Sequence, residues 1–130
     1  DPALVPLAID EFPALFVAAA CADGRTVLRG AEELRVKESD RIEVMATGLR
    51  QLGISVETFE DGIAIEGASV LGGAIIDSHG DHRIAMAFAV ASLRAESEIT
   101  VQQCQNVATS FPGFVALAAE AGLNIEEIAD

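Results

Sequence analysis

Two short stretches of this chain gather side chains suited to binding anions and moving protons. One is ELRVKESDRI, Glu33 to Ile42, which places Arg35, Lys37 and Arg41 within seven positions and adds Glu38 and Asp40. The other is SHGDHRIAMAFAV, Ser78 to Val90, which holds His79, Asp81, His82 and Arg83 and so contains both histidines of the chain. The surrounding sequence is acidic, with a net charge of -13 and only eight basic residues, of which Lys37 is the one lysine. Scarce positive charge is therefore concentrated at two places.

Each stretch reads as the beginning of a helix. Lys37 and Arg41 are four apart and Glu38 and Arg41 three apart, so a helix from Glu38 to Leu52 would set all three on one edge of its first turn. Cations are disfavoured at that end because the helix macrodipole is already positive there. Two readings follow. The charges form a solvated face with i,i+3 and i,i+4 pairs, or a bound anion answers both the exposed N–H groups and the side chains. In the second stretch Asp81 reads as an N-cap, with His82 and Arg83 either exposed or turned to a ligand. The His-x-x-His spacing has no convincing further ligands, so no metal is expected. Two cationic helix starts in one acidic chain favour a shared small-molecule anion, a phosphate or carboxylate held by arginine forks. Asp10 stands before a third helix. It reads as an N-cap, and, if the helix starts converge, as a carboxylate kept ionised by nearby cations and suited to act as a base or hydroxyl ligand.

Composition bounds the rest. At 130 residues the chain has the size of one domain or part of one, and 51% apolar residues suffice for a core. Without Trp or Tyr, that core must be aliphatic with six Phe. The acidic balance excludes nucleic acid and anionic membrane surfaces as partners. The longest apolar runs, 14–22 and 84–92, are too short to span a bilayer. Cys21 and Cys104 have no metal-ligand spacing and read as reduced structural thiols, as in the cytosol.

The elements that must carry these groups follow from periodicity. EFPALFVAAACA predicts a helix buried on most sides, with Pro13 in its first turn, and Gly24 stops it. RTVLRG predicts a strand. ISVETF and IAIEG predict a hairpin turning at Glu60-Asp61-Gly62. AIID, then a helix over DHRIAMAFAVASL, then EITVQQ, come next. SFPGFVALAAEAG predicts a helix from Ser110 to Gly122, and LNIEEI a last strand. The order predicts an α/β (α+β) fold made of two β-α-β-α-β units, residues 1–67 with an extra hairpin strand and residues 68–130, both within a single partial domain. Echoes such as TVLRG with TVQQC and LGISVE with AGLNIE support the repeat.

Four motifs, AIDEFPALFVAAACADG, RGAEELRVKESDRI, DSHGDHRIAMAFAVA and SFPGF, stand in an order and spacing that closely resembles the C-terminal part of the EPSP synthases (3-phosphoshikimate 1-carboxyvinyltransferases). The resemblance covers essentially the whole chain. It implies β-α-β-α-β-β units of the enolpyruvyl transferase fold, an inside-out α/β barrel, and an enzyme about three times this length whose facing N-terminal domain is missing here. The implied reaction moves the enolpyruvyl group of phosphoenolpyruvate to the 5-hydroxyl of shikimate 3-phosphate, in aromatic amino-acid biosynthesis, and calls for no metal or organic cofactor. Matched residue by residue, the resemblance makes Asp10 and Glu38 catalytic. It sets Asp10 and Lys37 on shikimate 3-phosphate, and Arg41, His82 and Arg83 on phosphoenolpyruvate. Thr109 stands where some members carry a phosphoenolpyruvate-binding lysine, and Glu33 where some carry an asparagine, so neither receives a role. A cytoplasmic location is implied, with activity absent from these residues alone. Two alternatives are a piece of the related UDP-N-acetylglucosamine enolpyruvyl transferase, and a non-catalytic module that binds phosphorylated ligands or self-associates through exposed apolar surface.

Overall fold

The apolar run after Asp10 forms helix α1 (Phe12–Cys21), with Pro13 in its first turn as its sequence requires. The computed structural model describes residues 11–110 and 113–126; Asp10 and its expected capping role lie outside them. Phe12, Phe16, Val17, Ala19 and Ala20 are buried, and the Phe12 and Phe16 rings stack with centroids 6.0 Å apart. Six of its ten residues are buried, as expected of a helix covered on most sides, and the one open side carries Leu15, 49% exposed.

Strand β1 (Arg25–Leu28) follows, and after a 3-10 turn at Glu32–Val36 comes helix α2 (Arg41–Gln51). α2 starts three residues later than its periodicity predicts. Lys37 is extended and Asp40 adopts a β conformation whose carboxylate accepts from the Glu43 N–H, at 3.2 Å, so the cap sits at Asp40. Lys37 and Glu38 therefore precede the helix instead of lying on its first turn. At the other end Gly53, with φ +90°, ends α2 as expected: its N–H bonds to Arg50 O and that of Ile54 to Leu49 O, a Schellman motif sealed by two buried side chains.

Strands β2 (Ser55–Phe59) and β3 (Gly62–Glu66) form the predicted antiparallel hairpin, and β1 pairs with the far edge of β3 to give the order β1-β3-β2. Phe59 pairs with Gly62, so the turn is the two residues Glu60-Asp61 and the glycine is already strand. Gly62 is needed for a different reason: a Cβ there would lie 1.8 Å from Leu28 O. Arg35, part of the first basic cluster, ties this hairpin to α2. Its Nη2 donates to Phe59 O (2.6 Å), its Nε to Glu60 O (2.9 Å) and its Nη1 to Asp40 (2.9 Å) and Glu43 (3.2 Å).

The second half is a β-α-β unit. β4 (Ala74–Asp77) and β5 (Ile99–Gln102) run parallel, joined by helix α3 (His82–Ala91) and a 3-10 turn at Ser92–Arg94. Helices α4 (Gln105–Ser110) and α5 (Phe114–Glu120) come last. Ser110 ends α4 instead of opening the following helix, which starts after Gly113 in the left-handed conformation (φ +83°). The expected last strand is not formed over Leu123–Glu126. There the Leu123 N–H is still bonded back to Ala118 O at 3.0 Å, which closes α5.

One core runs across residue 67. Leu34, Ile42, Met45 and Leu49 from the first half pack with Leu71, Ile76, Ile84 and Phe88 from the second, all at most 1% exposed. α2 meets α3 at this core, Gly48 against the ring of Phe88, and that contact sets the positions of the two helix starts.

Candidate active site

Asp81 is the centre of the observed arrangement. It caps α3, is fully buried, and receives five bonds. Its Oδ2 accepts from Ser39 Oγ (2.8 Å) and Arg41 Nε (2.9 Å). Its Oδ1 accepts from Arg41 Nη2 (3.3 Å) and from the backbone N–H groups of Arg83 (3.1 Å) and Ile84 (3.4 Å). Burial pushes the Asp81 carboxyl up, but bonds from Arg41 and Ser39, the Arg41 charge and the Ile84 amide outweigh it and hold it below the usual carboxylate range.

Arg41, the first residue of α2, is 1% exposed. Besides Asp81, its Nη2 donates to Glu38 Oε2. Among the described residues, the cation at this helix N-terminus is thus answered by two carboxylates, one of them from across the fold. Glu38 reaches Arg41 from the segment before the helix and stays half-exposed, at 52%. Lys37 and His82 are partly buried and form no side-chain hydrogen bond or ion pair among the described residues. Arg83 lies 3.8 Å from Glu11, the residue preceding α1. Three helix starts consequently meet: α1 through Glu11 and Arg83, α2 through Arg41, and α3 through Asp81.

The candidate residues divide accordingly. Glu38 and Arg41 are in direct contact, and Asp81 joins them to the turn that carries His82 and Arg83. Lys37 is adjacent in sequence and makes no side-chain hydrogen bond or ion pair to the cluster among the described residues. Asp10 lies outside the described residues, next to Glu11. His79 points elsewhere: it sits at φ 53°, is 58% exposed, and its N–H donates to Asp77 Oδ1 at 2.8 Å. Sequence reasoning took Asp81 for a cap only and missed Ser39. The signal for both was weak, since a Ser and an Asp beside helix starts are ordinary capping residues. Grooves do not single out the site. One of about 160 Å³ between α1 and α3 has Glu11 and Arg83 on its rim, whereas the larger, about 410 Å³, is apolar and lies between α1, β1 and β3, away from these groups.

The fold and the site together define an α/β protein with converging helix starts, in which a buried Arg–Asp pair fixes a cluster of cations and carboxylates. The chain belongs to the EPSP synthase (3-phosphoshikimate 1-carboxyvinyltransferase) family, whose model matches residues 2–117. It is 66% identical over 123 residues to the 3-phosphoshikimate 1-carboxyvinyltransferase of Halorhodospira halophila, covering 95% of this chain and 28% of that protein. With the enzyme of the same name from Acidithiobacillus ferrooxidans the identity is 67% over 125 residues, covering 96% of this chain and 29% of the relative. The solved EPSP synthase of Acinetobacter baumannii superposes with a TM-score of 0.94 at 58% identity, over 97% of this chain and 30% of that one. The chain thus spans less than a third of the length of these relatives.

Proposed function

We propose that this chain supplies one side of the active site for transfer of the enolpyruvyl group of phosphoenolpyruvate to the 5-hydroxyl of shikimate 3-phosphate. The observation that carries the reading is the junction of Glu38, Arg41, Asp81 and the Arg83 turn, which sets carboxylate and cation side by side at neighbouring helix starts. The hydroxyl oxygen adds to C2 of phosphoenolpyruvate while its proton is taken up and C3 gains one. Loss of a C3 proton and of phosphate then restores the double bond. Asp10 and Glu38 are the carboxylates assigned to these transfers. Lys37, with Asp10, would hold shikimate 3-phosphate, and Arg41, His82 and Arg83 would hold phosphoenolpyruvate and its leaving phosphate.

In this reading residues 1–67 and 68–130 are two repeat units of one partial domain. The order helix–strand–helix in α1-β1-α2, met again in α3-β5-α4, supports it. The remaining two-thirds of such an enzyme, including a facing N-terminal domain, would supply the rest of the site. Two free thiols suit the cytosol as its compartment, and no helix among the described residues is long and apolar enough to cross a membrane.

The test is a chimera in which these residues replace the matching segment of the Halorhodospira halophila enzyme. Phosphate release from phosphoenolpyruvate is expected with shikimate 3-phosphate and not with UDP-N-acetylglucosamine, and none is expected from the 130 residues alone. Release with the nucleotide sugar, or full turnover by the isolated chain, would overturn the reading.

A further inference from the structure

An N-cap requires neither burial nor charge, because serine, threonine and asparagine cap about as well as aspartate. Asp81 nevertheless has its carboxylate wholly withdrawn from water, a costly placement unless the charge is matched. Its two oxygens divide the work. Oδ1 faces the first-turn amides of α3, while Oδ2 takes Arg41 Nε from a helix 40 positions earlier, and Ser39 Oγ fixes the rotamer that allows both. Arg41 then passes the restraint on, through Nη2, to Glu38.

We propose that Asp81 is the positioning residue of the site: one carboxylate ties the Arg41 guanidinium to the first turn of α3, and so sets Arg41 and Glu38 in place relative to His82 and Arg83. The inference rests on the anion-binding reading above for its purpose, but the restraint itself is a property of the fold. Two anionic groups of one ligand can be gripped by Arg41 and by the α3 pair only if the gap between them is held to within a fraction of an ångström. Packing of α2 on α3 sets the distance between the helix axes. The Asp81 bridge sets the orientation of the guanidinium.

The experiment uses the 15N-labelled chain with Asp81→Asn and Asp81→Ser, both of which keep a capping oxygen and remove the carboxylate. The readouts are the Arg41 Nε–H resonance and a titration with phosphoenolpyruvate followed at His82. In the unsubstituted chain the Nε–H signal is expected to be slow to exchange, and to broaden or shift when acid protonates Asp81. In both variants it is expected to lose its protection, and phosphoenolpyruvate affinity to fall by roughly tenfold or more, with cooperative unfolding retained. A folded variant that keeps the protected Arg41 signal would overturn the proposal and leave Asp81 as a cap. Should neither variant fold, Ser39→Ala decides: partial loss of protection supports the proposal, and an unchanged signal overturns it. Failure of the unsubstituted chain to bind phosphoenolpyruvate would count against the proposed function, and the Arg41 signal would still decide the positioning.

Discussion

The ring of Phe88 lies directly on Gly48, where α3 crosses α2. A Cβ built on the glycine would stand 2.3 Å from Phe88 Cζ. Phe88 is fully buried, so the ring has little room to retreat. This contact brings the two helices close enough for the Arg41–Asp81 bridge to form at their N-terminal ends.

Gly48→Ala is therefore expected to destabilise the chain, although alanine is the better helix former. Overpacking of a filled core costs about 1–3 kcal/mol, and the gain in helix propensity returns about 1 kcal/mol. A net loss of up to about 2 kcal/mol in denaturant unfolding is expected. Combining the change with Phe88→Leu should recover part of it, because the smaller side chain opens the space the methyl group needs. A more stable single variant would contradict the close approach.

Asp81 makes the acid limb of the stability curve informative. Its folded pKa is depressed, so the stability it contributes is fully present above its unfolded value, about 3.9, and is lost as pH falls through the lower folded value. Denaturant midpoints measured from pH 7 to pH 2.5 should fall more steeply below about pH 4 in the unsubstituted chain than in Asp81→Asn. The variant should be the less stable at pH 7. Parallel curves would show that Asp81 does not titrate against a charged partner.

Much of this arrangement was legible in the sequence, and the exceptions share a cause. α3 and its Asp81 cap, the hairpin and the Gly53 stop rest on local chemistry, and each is found where periodicity and turn residues put it. The start of α2 was misplaced because Lys37 and Glu38 have helical spacing from Arg41 while Asp40, a better cap, lies between them. Arg35 read as part of an anion cluster, yet it binds the carbonyls of Phe59 and Glu60, more than twenty positions away. Asp81 and Arg41 are 40 apart, and nothing in either motif names the other. The strand expected at LNIEEI depends on a neighbour to pair with, and periodicity carries no information about one.

Arg35 should accordingly act on stability. Its burial disfavours the charge, but the hydrogen bonds and charges of Asp40 and Glu43 more than offset this and raise its pKa. Arg35→Ala removes four bonds that join the β2–β3 turn to the start of α2. A loss of about 1–2 kcal/mol is expected once solvent screening of the partly exposed ion pairs is allowed for. In the chimeric enzyme the same variant should leave the Michaelis constant for phosphoenolpyruvate nearly unchanged at a temperature well below melting. A large rise there would return Arg35 to the anion site.

Cys104 offers a probe of the β4–β5 region. Burial pushes its thiol up, and Sγ donates to Val101 O at 3.1 Å. Alkylation followed by mass spectrometry at pH 8 should be several-fold slower at Cys104 in the folded chain than in denaturant, because the thiolate is the reactive form. Equal rates in the two conditions would mean that the end of β5 opens freely.

The open face of α1 predicts self-association. Leu15 is 49% exposed and Val27 on β1 is 52% exposed, and both line the apolar groove of about 410 Å³ that also reaches Phe12, Phe16, Ile63 and Ile65. Contiguous apolar surface of this kind on a short chain favours contact with a second apolar surface over contact with water. In light scattering the apparent mass should rise with protein concentration, and it should fall towards that of the monomer in Leu15→Lys with Val27→Thr. Neither substituted side chain belongs to the buried core, so circular dichroism should be unchanged. A strictly monomeric unsubstituted chain at high concentration would mean that the groove is too shallow, or too well hydrated, to drive association.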